Sequence, residues 1–192
     1  GGKYNNFGVH GTGIATAADS LMAIKKYVFD EKKFTADELI KEVDSNFENN
    51  PEMLSLLRYE TPKFGQNIDE VDSLACRLVD IFSKGLEGKK NCRGGIWRAG
   101  TGSAMYYLWH AAEIGASPDG RLKGEPFGTN FSCSIYAKIP GPISVISSFS
   151  KPEFAKAING GPLTLEFHGG MFNDADSIGK VARLVKQYFD LG

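Results

Sequence analysis

The side chains able to do chemistry in this 192-residue chain are few and scattered. Cys76, Cys92 and Cys133 are odd in number, far apart and form no C-x-x-C pair, so neither a disulfide framework nor a zinc site is indicated. His10, His110 and His168 do not fall at H-x-x-x-H spacing, and no metal is expected. No G-x-S-x-G elbow or paired carboxylates suggest a hydrolase. Hydrogen-bonding chemistry remains. In the glycine-rich, aromatic run from Ile96 to Tyr107, alternation places Trp97, Thr101, Ser103 and Met105 on one face, where the two hydroxyls would orient a substrate hydroxyl or carboxylate. Trp97 and Met105 serve equally well as ordinary core. Further on, Leu163, Leu165 and Phe167 point one way and Thr164, Glu166 and His168 the other. That polar row is either a solvated sheet face or the lining of an enclosed cavity. In the second case burial would raise the pKa of Glu166 and let it accept a proton.

The elements that must position these groups divide the chain in two. The first half reads as helical. Gly8, Gly11 and Gly13 form a glycine-rich loop with no convincing strand before it, better suited to a tight turn into a packed helix than to a phosphate cradle. Ile14, Ala18, Leu21, Ile24 and Val28 then define one apolar helical face. Thr35 to Glu38 is a capping box ahead of the stripe Leu39, Ile40, Val43 and Phe47. Pro51 opens a short helix through Leu54 and Leu57. Asn67 to Glu70 starts another, with Val71, Leu74, Ala75, Leu78 and Phe82 facing the core until Gly85 or Gly88.

The second half reads as strand-rich, with short β-type runs at Ile96 to Tyr107, Ile135 to Ile139, Ile143 to Phe149 and Leu163 to His168 between Gly and Pro punctuation. A closing helix carries Ile178, Val181, Ala182, Val185, Tyr188 and Phe189, with Asp176 or Ser177 as its expected cap and a glycine cap at its end. The fold class is therefore α/β, with no linker long enough to divide residues 1–192.

A 42% hydrophobic share suffices for a sizeable core. The net charge of −1, with 22 basic and 23 acidic residues mixed along the chain, gives no electrostatic case for nucleic acid or a membrane surface. No apolar run approaches the roughly 20 residues of a spanning helix. A soluble, cytoplasmic protein is expected. The chain has no initiator Met and ends at F-D-L-G as a helix closes, which suggests an internal piece of a longer polypeptide.

The most specific stretch is G-A-S-P-D-G-R-L-K-G-E-P, Gly115 to Pro126, in which Pro118 presets a turn, Gly120 can take positive φ, and Asp119 and Arg121 can pair or tie down the backbone. With Y-N-N-F-G-V-H-G-T-G-I-A-T-A-A-D-S-L at Tyr4 to Leu21, A-I-K-K-Y-V-F-D-E-K-K at Ala23 to Lys33, P-K-F-G-Q-N-I-D-E-V-D at Pro62 to Asp72 and the strand-like G-P-I-S-V-I-S-S-F-S-K at Gly141 to Lys151, it resembles the glycyl radical enzymes, the pyruvate formate-lyase-like superfamily. The resemblance covers nearly the whole chain.

The resemblance implies part of a ten-stranded α/β barrel, the second half-barrel, as a single partial barrel domain over residues 1–192. It implies a small organic substrate and a parent enzyme whose glycyl radical, installed by a radical-SAM activating enzyme, oxidises a cysteine to the hydrogen-abstracting thiyl. The reaction would be that of a dehydratase, a decarboxylase or a formate acetyltransferase. Neither the family's cysteine loop nor its R-V-x-G-type glycine loop matches any segment of this chain, so Cys76, Cys92 and Cys133 are read as structural, no catalytic residue is assigned, and the chain alone is expected to be inactive. Trp97, Thr101, Ser103, Met105, Glu166 and His168 are the candidate substrate wall; Pro118, Asp119, Gly120 and Arg121 are a structural motif. An open half-barrel edge further predicts self-association. The competing reading is a noncatalytic structural or binding module with a degenerate version of the same fold.

Overall fold

The computed structural model describes residues 2–191. Its framework is a β-helix-helix-β crossover. Strand β1 (Phe7–His10) leads into α1 (Ile14–Ile24), which widens into a π turn over Lys25–Asp30. Helices α2 (Ala36–Asp44), α3 (Pro51–Tyr59) and α4 (Asp69–Leu86) follow, and α4 returns the chain to β2 (Trp97–Gly100). The two strands are parallel, with Phe7 opposite Trp97 and His10 opposite Gly100. A strand thus does precede the Gly8–Gly13 loop. Its four residues, F-G-V-H, are too short and too glycine-rich for alternation alone to mark them.

The first half forms where its local chemistry directs. Thr35 N–H donates to Glu38 Oε2 at 2.7 Å and Glu38 N–H to Thr35 Oγ1 at 3.2 Å, completing the capping box of α2. Asn50 Oδ1 accepts from Met53 N–H at 3.0 Å and Pro51 takes the first helical position of α3. The carboxylates Asp69, Glu70 and Asp72 sit in the first turn of α4, against its positive dipole end. Alanines at positions 15, 18 and 75 let α1 and α4 approach closely around Ile14, Met22, Val71 and Val79, and Phe64, Phe131 and Phe149 seal that core. A second core, of Ala23, Tyr27, Leu39, Phe47, Met53 and Leu57, holds α2 and α3 to the end of α1. Leu21 and Ile40, expected on apolar faces, are exposed instead.

The second half departs from expectation. It is not strand-rich: among the described residues β2 is its only strand. The run Ile143–Phe149, read as a strand, lies in helix α6 (Pro142–Phe149). Pro142 occupies its first turn, Val145, Ile146 and Phe149 are buried at helical spacing, and Ser148 turns inward to donate to buried Asp72 Oδ2 at 3.0 Å. An eight-residue apolar run has no period that separates strand from helix, and the proline at its start was the discriminating signal. Residues 101–103 leave β2 as a loop and helix α5 spans Tyr106–Glu113, which interrupts the alternation expected through Met105. Residues 135–139 form a turn region rather than a strand. Residues 163–168 keep the expected alternation, with Leu163, Leu165 and Phe167 half-buried and Thr164, Glu166 and His168 exposed, but no neighbouring strand pairs with them among the described residues. The last helix, α7 (Ala175–Asp190), is capped by Asp174, whose Oδ1 accepts from Ser177 N–H at 2.7 Å, rather than by Asp176 or Ser177. Gly192, its expected terminal cap, lies outside the described residues. No helix among the described residues is long and apolar enough to cross a membrane.

Candidate functional site

Parallel strands end together, and side chains leaving their carboxyl ends converge. Here β1 delivers His10 and, past a tight turn, Thr12; β2 delivers Gly102 and Ser103. With Val9, Tyr106, His110, Asn130 and Pro162 they line a cleft of about 600 Å³. This is the position where the loops of parallel α/β sheets bind ligands.

Each wall is fixed. Ser103 N–H donates to Asn130 Oδ1 at 2.9 Å, and Asn130 N–H donates back to Ser103 Oγ at 2.8 Å, which locks the loop after β2 to the 129–130 turn. Asn130 Nδ2 in turn donates to Thr164 Oγ1 at 3.2 Å. Tyr106 stacks on His110 with ring centroids 5.4 Å apart, forming the aromatic side of the cleft. Asn159 Nδ2 lies 3.0 Å from His10 Nε2. Thr101 is fully buried beside these residues, its N–H donating to Gly160 O at 2.9 Å and its Oγ1 without a hydrogen-bond partner among the described residues.

Behind α5 stands the P-D-G-R segment. Asp119 and Arg121 do not pair through their side chains. Instead Arg121 Nη1 donates to Leu122 O at 3.0 Å and Glu125 O at 2.9 Å, Nη2 donates to Gly115 O, and the guanidinium lies 4.1 Å over the Phe127 ring. Asp119 Oδ1 accepts from Ser117 Oγ–H at 2.6 Å, and Arg58 bridges to Glu125 and donates to Gly120 O at 2.6 Å. Gly120 has φ +92, and a Cβ there would stand 2.5 Å from Arg58 Cγ, so only glycine fits. The loop so tied holds α5 in place through Gly124 N–H to Ala111 O at 2.9 Å and Phe127 N–H to Tyr107 O at 3.3 Å. Pro118 to Arg121 are thus a scaffold for the cleft, one helix removed from it. Beneath the loop, Lys63 Nζ donates to Asp119 O at 2.7 Å and Asp19 Oδ1 accepts from Phe64 N–H at 2.7 Å. Burial pushes Asp19 up from 3.8 to about 7, raises Asp119 and lowers Lys63.

Of the candidate wall residues, Ser103 lines the cleft and Thr101 is buried next to it. Trp97 packs edge-on against Phe7, ring centroids 5.4 Å apart, and borders a different hollow with Ala155 and Ile158. Met105 is exposed at the start of α5. Glu166 and His168 are exposed, and His168 Nδ1 accepts from Gly170 N–H at 3.1 Å as the cap of the 3-10 turn Gly169–Phe172. They do not join Thr101 and Ser103. Sequence reasoning missed His10, Thr12, Asn130 and Asn159. The signal for His10 was its place at the end of an apolar run directly before the Gly11–Gly13 turn, where a parallel strand hands its last side chain to a ligand. Nothing local marked Asn130 or Asn159.

The cleft also tests a thiyl role for this chain's cysteines, and they do not fit it. None of the three lines the cleft: Cys92 is exposed in the 91–94 turn, Cys76 sits within α4, and Cys133 packs near Gly65. Burial and then nearby carboxylates, Asp72 for Cys76 and Asp19 for Cys133, push the two less exposed thiols up, away from thiolate character.

Comparison with known proteins places the chain in a family. Residues 1–109 match the family model described as "Pyruvate formate lyase-like". The chain belongs to this family, that of the glycyl radical enzymes. Over 191 residues it is 32% identical to trans-4-hydroxy-L-proline dehydratase of Clostridioides difficile, covering all of this chain and 24% of that protein. Its structure superposes on the glycerol-bound form of the B12-independent glycerol dehydratase from Clostridium butyricum with a TM-score of 0.93 at 35% identity, over all of this chain and 24% of the other. A glycyl radical enzyme from Archaeoglobus fulgidus gives 0.92 at 26% identity over the same shares. The chain thus spans about a quarter of the length of these relatives.

Proposed function

We propose that this polypeptide is the part of a glycyl radical enzyme between its cysteine loop and its glycine loop, a partial barrel domain that supplies one wall of the cavity for a small hydroxylated substrate. The observation that carries this reading is the cleft at the ends of β1 and β2: a hydrogen-bonding surface of His10, Thr12, Ser103 and Asn130 with no carboxylate, lysine or arginine in its lining, in a chain that matches part of a glycerol-bound dehydratase over all of its own residues. Elimination of water from a vicinal diol or hydroxy acid suits such donors and acceptors, which orient hydroxyls without ionising them. Dehydration is favoured over acyl transfer because two of the three relatives named above are dehydratases.

On this reading the hydrogen-abstracting cysteine and the radical glycine stand outside these residues, a radical-SAM activating enzyme installs the radical on the parent, and the 192 residues alone have no turnover. The chain's own contribution is to bind and orient. Ser103 acts through the hydroxyl that Asn130 fixes, Thr101 through its free Oγ1, and Glu166 with His168 come into play only if the rest of the parent covers their exposed face.

The test is to read the complete frame on both sides of Gly1 and Gly192, then produce the full-length protein anaerobically with its activating enzyme. A cysteine loop upstream, an R-V-x-G-type loop downstream, a glycyl radical signal in electron paramagnetic resonance and turnover of glycerol, propane-1,2-diol or 4-hydroxyproline are expected. A frame that begins near Gly1 and stops near Gly192 removes the radical reading and leaves a noncatalytic module. In the active parent, Thr101→Val and Glu166→Gln with unchanged turnover would remove those two residues from the site.

A further inference from the structure

Asn159 sits across the ends of both strands. Its backbone N–H donates to Ala99 O at 2.9 Å, and its side-chain amide lies on β1 where Gly8 offers no side chain: a Cβ at Gly8 would stand 2.0 Å from Asn159 Nδ2. From that seat Nδ2 reaches His10 Nε2 at 3.0 Å. An amide nitrogen only donates, so with the Asn159 amide in this orientation Nε2 is the acceptor and the ring proton is placed on Nδ1. Nδ1 faces the end of the other strand. It lies 2.9 Å from the point where a Cβ of Gly102 would be, so that glycine at 102 leaves the Nδ1 edge of the ring uncovered toward the cleft that both residues line. Among the described residues no acceptor takes the Nδ1 proton, and no carboxylate, lysine or arginine lines the cleft beside it.

We propose that His10 is a substrate-binding residue, held by Asn159 as the Nδ1–H tautomer so that it donates to a hydroxyl or carboxylate oxygen of the substrate. This rests on the reading of the cleft as a substrate wall. An imidazole with its tautomer fixed is a directional donor, and the donor persists only while Asn159 occupies Nε2. Gly8 matters to the same end, because any side chain there evicts the amide.

The test has two independent arms. In the uniformly 15N-labelled protein at about pH 8, above the ordinary histidine range, long-range 1H–15N correlation spectra separate protonated from bare ring nitrogens. Wild-type His10 is expected as Nδ1–H, and Asn159→Asp, whose carboxylate accepts instead of donating, is expected to move the proton to Nε2. A wild-type Nε2–H tautomer overturns the proposal without any variant having to fold. In the activated full-length parent, His10→Phe and Asn159→Asp are expected to raise KM about tenfold, the worth of roughly one hydrogen bond, with kcat within about twofold, and His10→Gln is expected to recover much of the loss. An unchanged KM for His10→Phe overturns it. If the wild-type parent carries a radical yet turns over no hydroxylated or carboxylated compound, it is the functional reading that fails, while the tautomer measurement still decides the role of Asn159.

Discussion

At the scale of single residues, the most consequential groups are buried and stand outside the lining of the cleft. Asp19 is fully buried and held at about 7, against an ordinary value near 4. A carboxyl raised in the folded state binds a proton that the unfolded chain has already released, so between about pH 4 and 7 the folded state holds more protons and stability falls as pH rises. The contribution is fully present below about pH 4 and lost once pH passes 7, on the order of a few kcal/mol. Asp19→Asn keeps an oxygen for Phe64 N–H and does not titrate. Thermal melts across pH 4.5 to 8 are expected to show the wild type losing stability relative to the variant; a constant difference would refute the assignment. Gly120→Ala is the sharper lesion. With φ +92 and Arg58 Cγ at 2.5 Å from the new carbon, it is expected to cost about 2 kcal/mol or more, a fall in melting temperature of roughly 4 to 8 °C.

At the scale of elements, helices with strong caps and the start of β2 were legible, and β1 was not. Thr35 with Glu38, and Asn50 with Pro51, state their helix starts in side-chain chemistry that acts within four residues. Thr35→Ala is accordingly expected to destabilise the protein by about 1 kcal/mol, measured by denaturant titration at unchanged slope. Strand β1 escaped notice because four residues that include a glycine carry too little pattern, and α6 was mistaken for a strand because its apolar run is shorter than the window that separates the two periods. The extended stretch at 163–168 shows the opposite case. Its alternation was read correctly, while strand identity depends on a neighbour that no local pattern can supply. The candidate site was half legible for the same reason. Ser103 lies in the loop directly after the strand that was read from sequence, whereas Asn130 reaches the cleft, and Asn159 reaches His10, from segments brought there by packing alone.

At the scale of the whole molecule, large apolar side chains stand on the surface. Trp109 is 60% exposed and Phe189 74% exposed, with Met105 and Tyr106 beside the former and Val185 on the same helix as the latter. Two apolar faces of this kind on one small chain favour association. Light scattering is expected to give a mass that rises with concentration, and Trp109→Lys to reduce it; a constant monomer mass at several hundred micromolar would count against self-association. The same faces, on the functional reading above, are where the remainder of the parent packs.

The parallel pairing of β1 with β2 also sets a clock. Phe7 meets Trp97 only after about ninety residues of chain have been looped back, an entropic cost on the order of 4 kcal/mol, whereas the core of Ala23, Tyr27, Leu39, Phe47, Met53 and Leu57 closes over a much shorter span. Helices are therefore expected to assemble first and the strand ends that frame the cleft to meet last. Trp97 lies on the late strand, so with Trp109→Phe in place its fluorescence isolates that step. In stopped-flow refolding it is expected to lag the far-ultraviolet helical signal; identical time courses would mean that sheet and helices nucleate together. A cleft completed last is also the first to open under mild denaturant, so on the functional reading above ligand recognition is lost while most of the helical protein is still standing.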